Sequence, residues 1–455
     1  MRGALLSVLV LCLAGVSAAA RAESLIDFYR AALETNPAVR AREFGIDQAR
    51  AQKAQVKSKL LPQVVATGNY GWNNYDETGR PAQKYDGIRA GVQARQALFD
   101  LASYFKLQSA DFAVAESEKQ QEAARMAVAG EVVDRYLTVL QADDEIEHLL
   151  VESTAVESQL DRLRFMRSRE LVKVTDLYEV EAYQQGLKTR QIEAGAARAV
   201  ALERLRETTG VSAEGVSALA RENFPEVPGE QSQWLDDAVH GNPNLVALQN
   251  AIQAAAKLIK SSYAEHAPQV ALTSSWSYSD QGFDNRLVPK YNVGTVGLQV
   301  VVPIYEGGST QATVNEAVAR HGMALEQYEA ARREVERDVR TAYLGAVTGY
   351  ARISSTNDEV RAVLKVLESQ QKSYDLGAST IVDVLIAQRA LFKSRTEQYK
   401  ARYDYIRALM ELRIRAGALR EDDIQELDAW LDGRQRASDV GAAVGARTAT
   451  DFRQP

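Results

Sequence analysis

The sequence is short of cysteine, of long hydrophobic runs and, over two long stretches, of proline. Its only cysteine is Cys12, in a segment that we expect to be removed, so disulfides and cysteine catalysis are excluded from the mature chain. After Ala22 no run of about 18 apolar residues occurs, which argues against a further membrane-spanning helix. Proline is absent from Ala82 to Phe224 and from Ile304 to Gln454. Since proline breaks helix interiors, both stretches permit very long helices.

Sequence signatures of enzyme chemistry are also missing. There is no phosphate-binding GxxxxGK[ST], no HExxH and no GxSxG. The four histidines are scattered and have no second ligand at metal spacing. We therefore predict that the protein is not an enzyme and needs no cofactor and no metal. The formal charge of −7, from 54 basic and 61 acidic residues, argues against nucleic acid as a partner, because phosphate binding needs a basic surface.

The first 22 residues have the pattern of a secretory signal peptide. Arg2 supplies a positive start, residues 5–16 are apolar, and Ala20-Arg21-Ala22 is a small-x-small site. We expect cleavage between Ala22 and Glu23. The apolar run is shorter than the ~20 residues that a spanning helix needs. The sequence therefore predicts export rather than a membrane anchor.

The rest of the chain is an internal duplication. Asn36-Pro37 recurs as Asn242-Pro243, Pro62-Gln63-Val64 as Pro268-Gln269-Val270, and Gly91-Val92-Gln93 as Gly297-Leu298-Gln299, each 206 residues later. Farther on the offset becomes 207, as in Tyr136-Leu137 and Tyr343-Leu344. A constant offset over many landmarks indicates two structural repeats, 23–226 and 227–433. Residues 434–455 lack apolar periodicity, and we expect this tail to be disordered.

Both repeats follow one plan. Each Asn-Pro pair predicts a helix start, with Asn as the N-cap and Pro at the first helical position. Two alternating segments follow the helix and predict β-hairpins at about 63–100 and 269–305. The proline-free stretches then show apolar residues at helical spacing, which predicts long helical hairpins at about 101–208 and 310–416.

The predicted strands have one apolar and one polar face. Their length suits the ~9–11 residues of a membrane-spanning strand, although a half-buried sheet of a soluble protein gives the same alternation. Arg89, Gln93 and Arg95 fall on the polar face and either line a lumen or pair with acids across strands. Four strands cannot close a barrel with an open lumen, so a membrane location requires several copies. Two copies give eight strands, and three give twelve and room for a pore.

The second repeat carries the residues of a family resemblance: Tyr374, Gly377, Thr380-Ile381-Val382-Asp383-Val384-Leu385, Ala387-Gln388 and the segment Tyr403–Gly417. With the duplication, these residues resemble the TolC family of outer-membrane efflux and secretion channels. The resemblance covers the mature chain to about Leu431. It implies an α+β membrane protein in which three protomers, each with four strands, share a twelve-stranded transmembrane β-barrel in outer-membrane lipid. A long α-helical barrel continues the β-barrel across the periplasm.

The resemblance also implies a passive duct and its partners. A periplasmic adaptor (membrane fusion) protein couples the homotrimer to an inner-membrane ABC transporter or proton-driven pump. Matched residue by residue, the periplasmic gate consists of Tyr374, Asp176 and Asp383, and three copies of Asp383 form an acidic ring. Two positions depart from the family: Ser379 stands where some members carry a gate arginine, and Ile386 where a second aspartate is common.

These gate residues also have plainer interpretations. Thr380-x-x-Asp383 is a capping-box pattern, and Asp176 lies in a predicted first turn, where a carboxylate favours the helix dipole. For the function, type I protein secretion is favoured and small-molecule or multidrug efflux is the alternative. A surface coiled-coil structural protein is a distant third, because it leaves the alternating strands without a role.

Overall fold

The computed structural model describes residues 24–76, 78–221, 223–280 and 290–435. The predicted signal peptide, with its cleavage site between Ala22 and Glu23, lies outside the described residues. The chain forms two compact units. We call one the helix-rich unit (Met1–Arg40, Arg125–Leu235 and Asp338–Pro455) and the other the sheet-bearing unit (Ala41–Ala124 and Asp236–Arg337).

The described elements follow the same order in both halves up to the second helix of each long hairpin. In chain order they are α1 Leu25–Thr35, α2 Pro37–Ser58, β1 Gln63–Tyr75, β2 Gln83–Phe99, α3 Leu101–Arg167, α4 Val174–Thr209, β3 Ser217–Leu219, α5 Gln231–Gly241, α6 Pro243–Ala264, β4 Gln269–Ser279, β5 Tyr291–Val301, α7 Ser309–Asp375, α8 Ile381–Arg415, α9 Glu421–Asp428 and β6 Leu431–Gln435. Helices α3 and α7 each have 67 residues and are thus about 100 Å long at 1.5 Å per residue.

The two Asn-Pro pairs start helices as the sequence predicts. The Asn242 side chain accepts a hydrogen bond of 2.9 Å from the backbone N–H of Asn244 at the start of α6. Asn36 accepts in the same way from Ala38 at the start of α2. Each asparagine satisfies one of the N–H groups that lack a partner in a first turn.

In the sheet-bearing unit, four antiparallel strands form one sheet in the order β1-β2-β4-β5. The register places most of the large apolar residues of the four strands on one face, which we call the apolar sheet face. Its exposed members are Val64, Tyr70, Trp72, Ile88, Val92, Leu272, Trp276, Val296, Leu298 and Val300. So much contiguous exposed apolar surface is rare on a soluble monomer and marks a surface that interacts with a membrane or with another protein.

In the helix-rich unit, one core cluster surrounds Tyr136, Tyr403 and Tyr405. The Tyr136 hydroxyl is buried and donates a 3.1 Å hydrogen bond to the carbonyl of Ser217 in β3. A second cluster lies between α3, α4 and α8, with Leu160 and Ile381 among its fully buried members. Both clusters pack helices of the first repeat against helices of the second.

The segment 434–455, for which the sequence predicts a disordered tail, begins inside a strand. Strand β6 extends to Gln435 and pairs with β3. Backbone hydrogen bonds hold a two-stranded pair of this kind, so the absence of apolar periodicity did not reveal the strand. Residues 436–455 of the expected tail lie outside the described residues.

Candidate gate at the hairpin turns and the faces of the sheet

The turns that close the two long helical hairpins share one backbone geometry. In the turn after α3, the N–H groups of Glu170 and Leu171 donate to the carbonyls of Arg167 and Met166 at 2.9 and 3.0 Å. In the turn after α7, the N–H groups of Gly377 and Ala378 donate to Tyr374 and Ser373 at 2.9 and 2.8 Å. This pattern requires a left-handed residue after the helix. The residue is Gly377 (φ 73°) in one turn and Glu170 (φ 62°) in the other.

Replacing Glu170 by glycine should stabilise the first turn. A left-handed conformation costs an L-residue about 1–2 kcal/mol. Glycine avoids this cost, but its extra entropy in the unfolded chain reduces the gain in stability by about 0.5–1 kcal/mol. With the resulting net gain of ~0.5–1 kcal/mol, we expect the Leu171 amide to exchange its hydrogen about two- to fivefold more slowly. Glu170→Ala is the control for the lost charge, since alanine keeps the strain. Equal protection in Glu170→Gly and Glu170→Ala would rule out strain as the cause.

Tyr374 lies in the last turn of α7, half-buried against the second core cluster. Burial raises the pKa of its hydroxyl, and the negative charges of Asp176 and Asp375 raise it further, whereas Arg162 lowers it. The fold thus brings Tyr374 and Asp176, two of the predicted gate residues, into one electrostatic environment. Tyr374 also lines a cavity of about 690 Å³ between α3, α7 and α8.

An ion pair that the sequence did not indicate lies beside Tyr374. The Arg162 guanidinium of α3 is 3.2 Å from Asp375 Oδ1 of α7, and Gln371 Nε2 donates to the same carboxylate oxygen at 3.4 Å. The pair joins the two hairpins of one chain near their turns. Opposite charges near the ends of α3 and α7 were the only sequence signal, and nothing in the sequence gave their distance.

Asp383 has a different set of contacts. Its Oδ2 atom accepts from the Thr380 N–H (2.9 Å), the Thr380 hydroxyl (2.7 Å) and the Ser379 hydroxyl (3.1 Å). The N–H of Asp383 donates in return to Thr380 Oγ1 at 3.3 Å, so the capping box is complete. Hydrogen bonds from the Thr380 side chain, the Thr380 backbone and Ser379, in that order, lower the pKa of Asp383. The capping interpretation of Asp383 is therefore confirmed, and its carboxylate carries a negative charge at neutral pH.

Asp176, the equivalent residue in the first repeat, is held less firmly. The N-cap of α4 is Lys173, whose side chain makes no capping hydrogen bond. The Thr175 hydroxyl donates to Asp176 Oδ1 at 3.4 Å. The duplicated aspartates thus differ, because Asp383 belongs to a cap and Asp176 lies near Tyr374.

A second group that sequence reasoning missed surrounds Glu152 of α3, which is 3% exposed. The Tyr183 hydroxyl of α4 donates to its carboxylate, and Arg190 Nη2 approaches it to 4.0 Å. The Arg389 guanidinium of α8 lies 4.0 Å from the centre of the Tyr183 ring. These side chains line a groove of about 930 Å³ between α3, α4 and α8. Burial raises the pKa of Glu152, while Tyr183 and Arg190 oppose that rise.

We expect Glu152→Gln to raise the thermal midpoint at pH 8 and to leave it unchanged at pH 4. A carboxyl whose folded-state pKa is raised stabilises the fold most when protonated, and that contribution is lost as pH rises from the unfolded pKa through the folded one. Glutamine keeps the neutral form at every pH. Each kcal/mol corresponds to roughly 2–4 °C for a unit of this size. Glu157→Gln, at an exposed position of α3, is the matched control, and an equal effect of both substitutions would refute the burial argument.

Arg89, Gln93 and Arg95 are exposed on the sheet face opposite the apolar one. In register, Arg89 lies between Asn69 and Ser279. Gln93 has Ser275 as its partner on β4, and Arg95 has Thr273. This face is mostly polar, and the three predicted residues occupy it together.

Among the described residues, no group of three or more His, Cys, Asp or Glu side chains is arranged to hold a metal ion. Within the described ranges, no helix has both the length and the apolar character needed to cross a membrane.

Comparison with known proteins gives consistent matches. The model of the outer membrane efflux protein family matches residues 28–211 and 234–418. The outer membrane protein TolC of Vibrio cholerae is 28% identical over 427 residues, 91% of this chain and 95% of the relative. The alkaline protease secretion protein AprF of Pseudomonas aeruginosa is 27% identical over 413 residues, 88% of this chain and 86% of the relative. A crystal structure of CusC has the same fold, with a TM-score of 0.77 at 18% identity over 87% of this chain and 92% of that one.

Proposed function

The chain belongs to the outer membrane efflux protein family, and on that premise we propose that three copies assemble into a passive exit duct for substrates delivered from the inner membrane. The family is one of outer-membrane channels rather than enzymes. The protein is accordingly an outer-membrane efflux channel that extends into the periplasm.

The apolar sheet face is the observation that carries the proposal. Its valines, leucines and aromatic residues are exposed in the single chain, and we propose that outer-membrane lipid covers this face. Strand β5 has 11 residues, which suits a tilted membrane-spanning strand.

The sheet edges support the homotrimer. Strands β1 and β5 are the outer strands of the described sheet, and lipid tolerates no unpaired edge. We propose that β5 of one copy pairs with β1 of the next, so that three copies close twelve strands. Arg89, Gln93 and Arg95 then line the lumen, because the opposite face contacts lipid.

For the periplasmic gate we propose Tyr374, Asp176 and Asp383, as the family resemblance implies, and we add the Arg162–Asp375 pair. The network around Tyr374 joins α3 to α7. It therefore resists the separation of the hairpins that opening requires. Capping keeps the Asp383 carboxylate charged, and three copies would form a ring that favours cations.

We propose type I protein secretion as the transport route, with an ABC transporter and a periplasmic adaptor as partners. The 27% identity to a protease secretion protein over 88% of the chain supports this route. A cation efflux protein of Escherichia coli is 22% identical over 80% of the chain, and small-molecule efflux with a proton-driven pump is the second candidate. Expressing the chain with each pump system in a host without its own channel would separate the routes: secreted protein supports the first, and restored resistance to toxic small molecules supports the second.

Single-channel recording in planar bilayers tests the channel itself. We expect discrete, cation-selective conductance that hexaamminecobalt(III) blocks from the periplasmic side, and no block in Asp383→Ala. Asp358→Ala, at an exposed position earlier in α7, is the control, and its conductance should still be blocked by the cation. If the cation blocks both variants equally, Asp383 acts only as a helix cap. If even a variant with a loosened gate shows no conductance, the proposed channel function is contradicted.

A further inference from the structure

The charged residues of the four-stranded sheet are distributed unequally between its two faces. Strands β1, β2, β4 and β5 contain four charged side chains, which are Lys84, Asp86, Arg89 and Arg95. Because side chains alternate along a strand, Lys84 and Asp86 share the apolar sheet face, whereas Arg89 and Arg95 lie on the opposite, polar face. Among the strand residues that the structure describes, the polar face therefore has two arginines and no acidic residue.

The cross-strand partners of both arginines are neutral. Arg95 has Gln63 as its partner on β1 and Thr273 on β4, and the partners of Arg89 are likewise an asparagine and a serine. Both arginine side chains are exposed, and within the described part of the chain neither forms an ion pair. The neighbouring strands thus offer these arginines no acidic partner on the polar face.

The positions between and beside the arginines leave their side chains room. Gly87 and Gly91 lie two residues before and after Arg89 and share its face, and a glycine has no side chain to crowd the guanidinium. Gln93 adds an exposed amide that donates hydrogen bonds. Arg89 and Arg95 are six positions apart, or about 20 Å along the strand. One chain therefore presents a row of hydrogen-bond donors with two uncompensated positive charges.

We infer that this polar face binds multivalent oxyanions, with Arg89 and Arg95 supplying the charge and Gln93 an uncharged donor. The inference rests on the proposed function, because three copies bring the arginines together in one lumen. Rings of basic side chains favour anions, as rings of acidic side chains favour cations. The guanidinium fork matches the paired oxygen atoms of phosphate and carboxylate groups. Charge and donor geometry therefore select phosphorylated or polycarboxylate solutes.

The proposed channel then carries charges of opposite sign at its gate and in its β-barrel lumen. Asp383 gives the gate a negative charge, and the closed gate limits the current of the resting channel. The acidic ring accordingly sets the cation selectivity expected for that state. Once the gate is open, the arginines contribute more to the selectivity, so anions should be favoured more strongly in the open channel than in the resting one.

Block of single-channel current by inositol hexakisphosphate tests the inference. The anion is added to the extracellular side of Tyr374→Ala/Arg162→Ala, in which we expect an open gate. Block should weaken as salt rises, because the Debye length falls from about 30 Å at 0.01 M to about 10 Å at 0.1 M. When Arg89→Gln/Arg95→Gln is added to this parent, we expect the apparent affinity for the anion to fall roughly tenfold or more.

Two further variants of the same parent control for charge and for shape. Lys84→Gln removes one positive charge from the apolar face of β2, as Arg89→Gln alone removes one from the polar face. Only Arg89→Gln should weaken the block. Arg89→Lys/Arg95→Lys keeps both charges and should retain most of the block, which distinguishes a loss of charge from a disturbed strand.

The remaining outcomes contradict the inference in different ways. Equal block of Arg89→Gln/Arg95→Gln and its parent would overturn it, as would an equal loss of block in Lys84→Gln and Arg89→Gln, since net charge would then be the cause. Conductance that the anion never blocks would leave the proposed channel intact and overturn only the oxyanion site. Absence of conductance in every variant would contradict the proposed function, and the inference with it.

Discussion

Arginine at position 296 is expected to abolish stable insertion of the protein into the outer membrane. Val296 is the central residue of β5, 74% exposed on the apolar sheet face. An arginine that faces lipid at the bilayer midplane costs about 2–4 kcal/mol in each copy, and the proposed trimer carries three. We expect heat-modifiable trimers in the outer-membrane fraction to fall below about a tenth of the wild-type amount.

Thr295→Arg is the matched control, since the residue is adjacent, also exposed, and on the opposite face of the same strand. This variant should insert normally and change only the ion selectivity of the channel, because its charge would lie in the lumen. Loss of trimers in both variants would mean that the strand tolerates no arginine on either side. Normal insertion of Val296→Arg would show that lipid does not cover the apolar face.

Opening of the channel is the second large effect that we expect. In Tyr374→Ala/Arg162→Ala, the half-buried ring and the 3.2 Å ion pair between α3 and α7 are both removed. An exposed pair contributes only about 0.2–1 kcal/mol, but three copies act together. With the lost ring packing, a total of roughly 1.4–2.8 kcal/mol corresponds to a ten- to hundredfold larger open population. Single-channel recording measures it directly as open probability.

A charge exchange distinguishes the contribution of the Arg162–Asp375 ion pair from a general destabilisation of the hairpins. Arg162→Asp alone should open the channel by repulsion from Asp375, and adding Asp375→Arg should restore the closed state. Tyr178→Ala/Arg361→Ala is the matched control, because it removes an exposed tyrosine and an exposed arginine of the same unit. If the control variant opens to the same extent, or if the charge exchange does not restore the closed state, the ion pair is not part of the gate.

Much of this fold follows from local sequence signals. The two Asn-Pro pairs predict the starts of α2 and α6, since an N-cap and a first-turn proline act within one turn of a helix. The proline-free stretches predict α3 and α7, because a helix continues wherever nothing breaks it. Alternation predicts which residues share a face of the sheet, since a strand has a fixed period of two. The resemblance to the TolC family, which the family match confirms, rested on such short segments and on the constant offset.

By itself, then, the sequence determined the duplication, the two Asn-Pro helix starts, the long helices and the two faces of the sheet. Only the tertiary structure decided how the hairpins meet. Arg162 and Asp375 are 213 residues apart, and the group around Glu152 draws on three helices. The tertiary structure also placed Asp176 near Tyr374, whereas the capping role of Asp383 follows from the local Thr380-x-x-Asp383 pattern. Spacing within one element is set by its own backbone, whereas contacts between helices depend on how their buried faces pack, which no local pattern encodes.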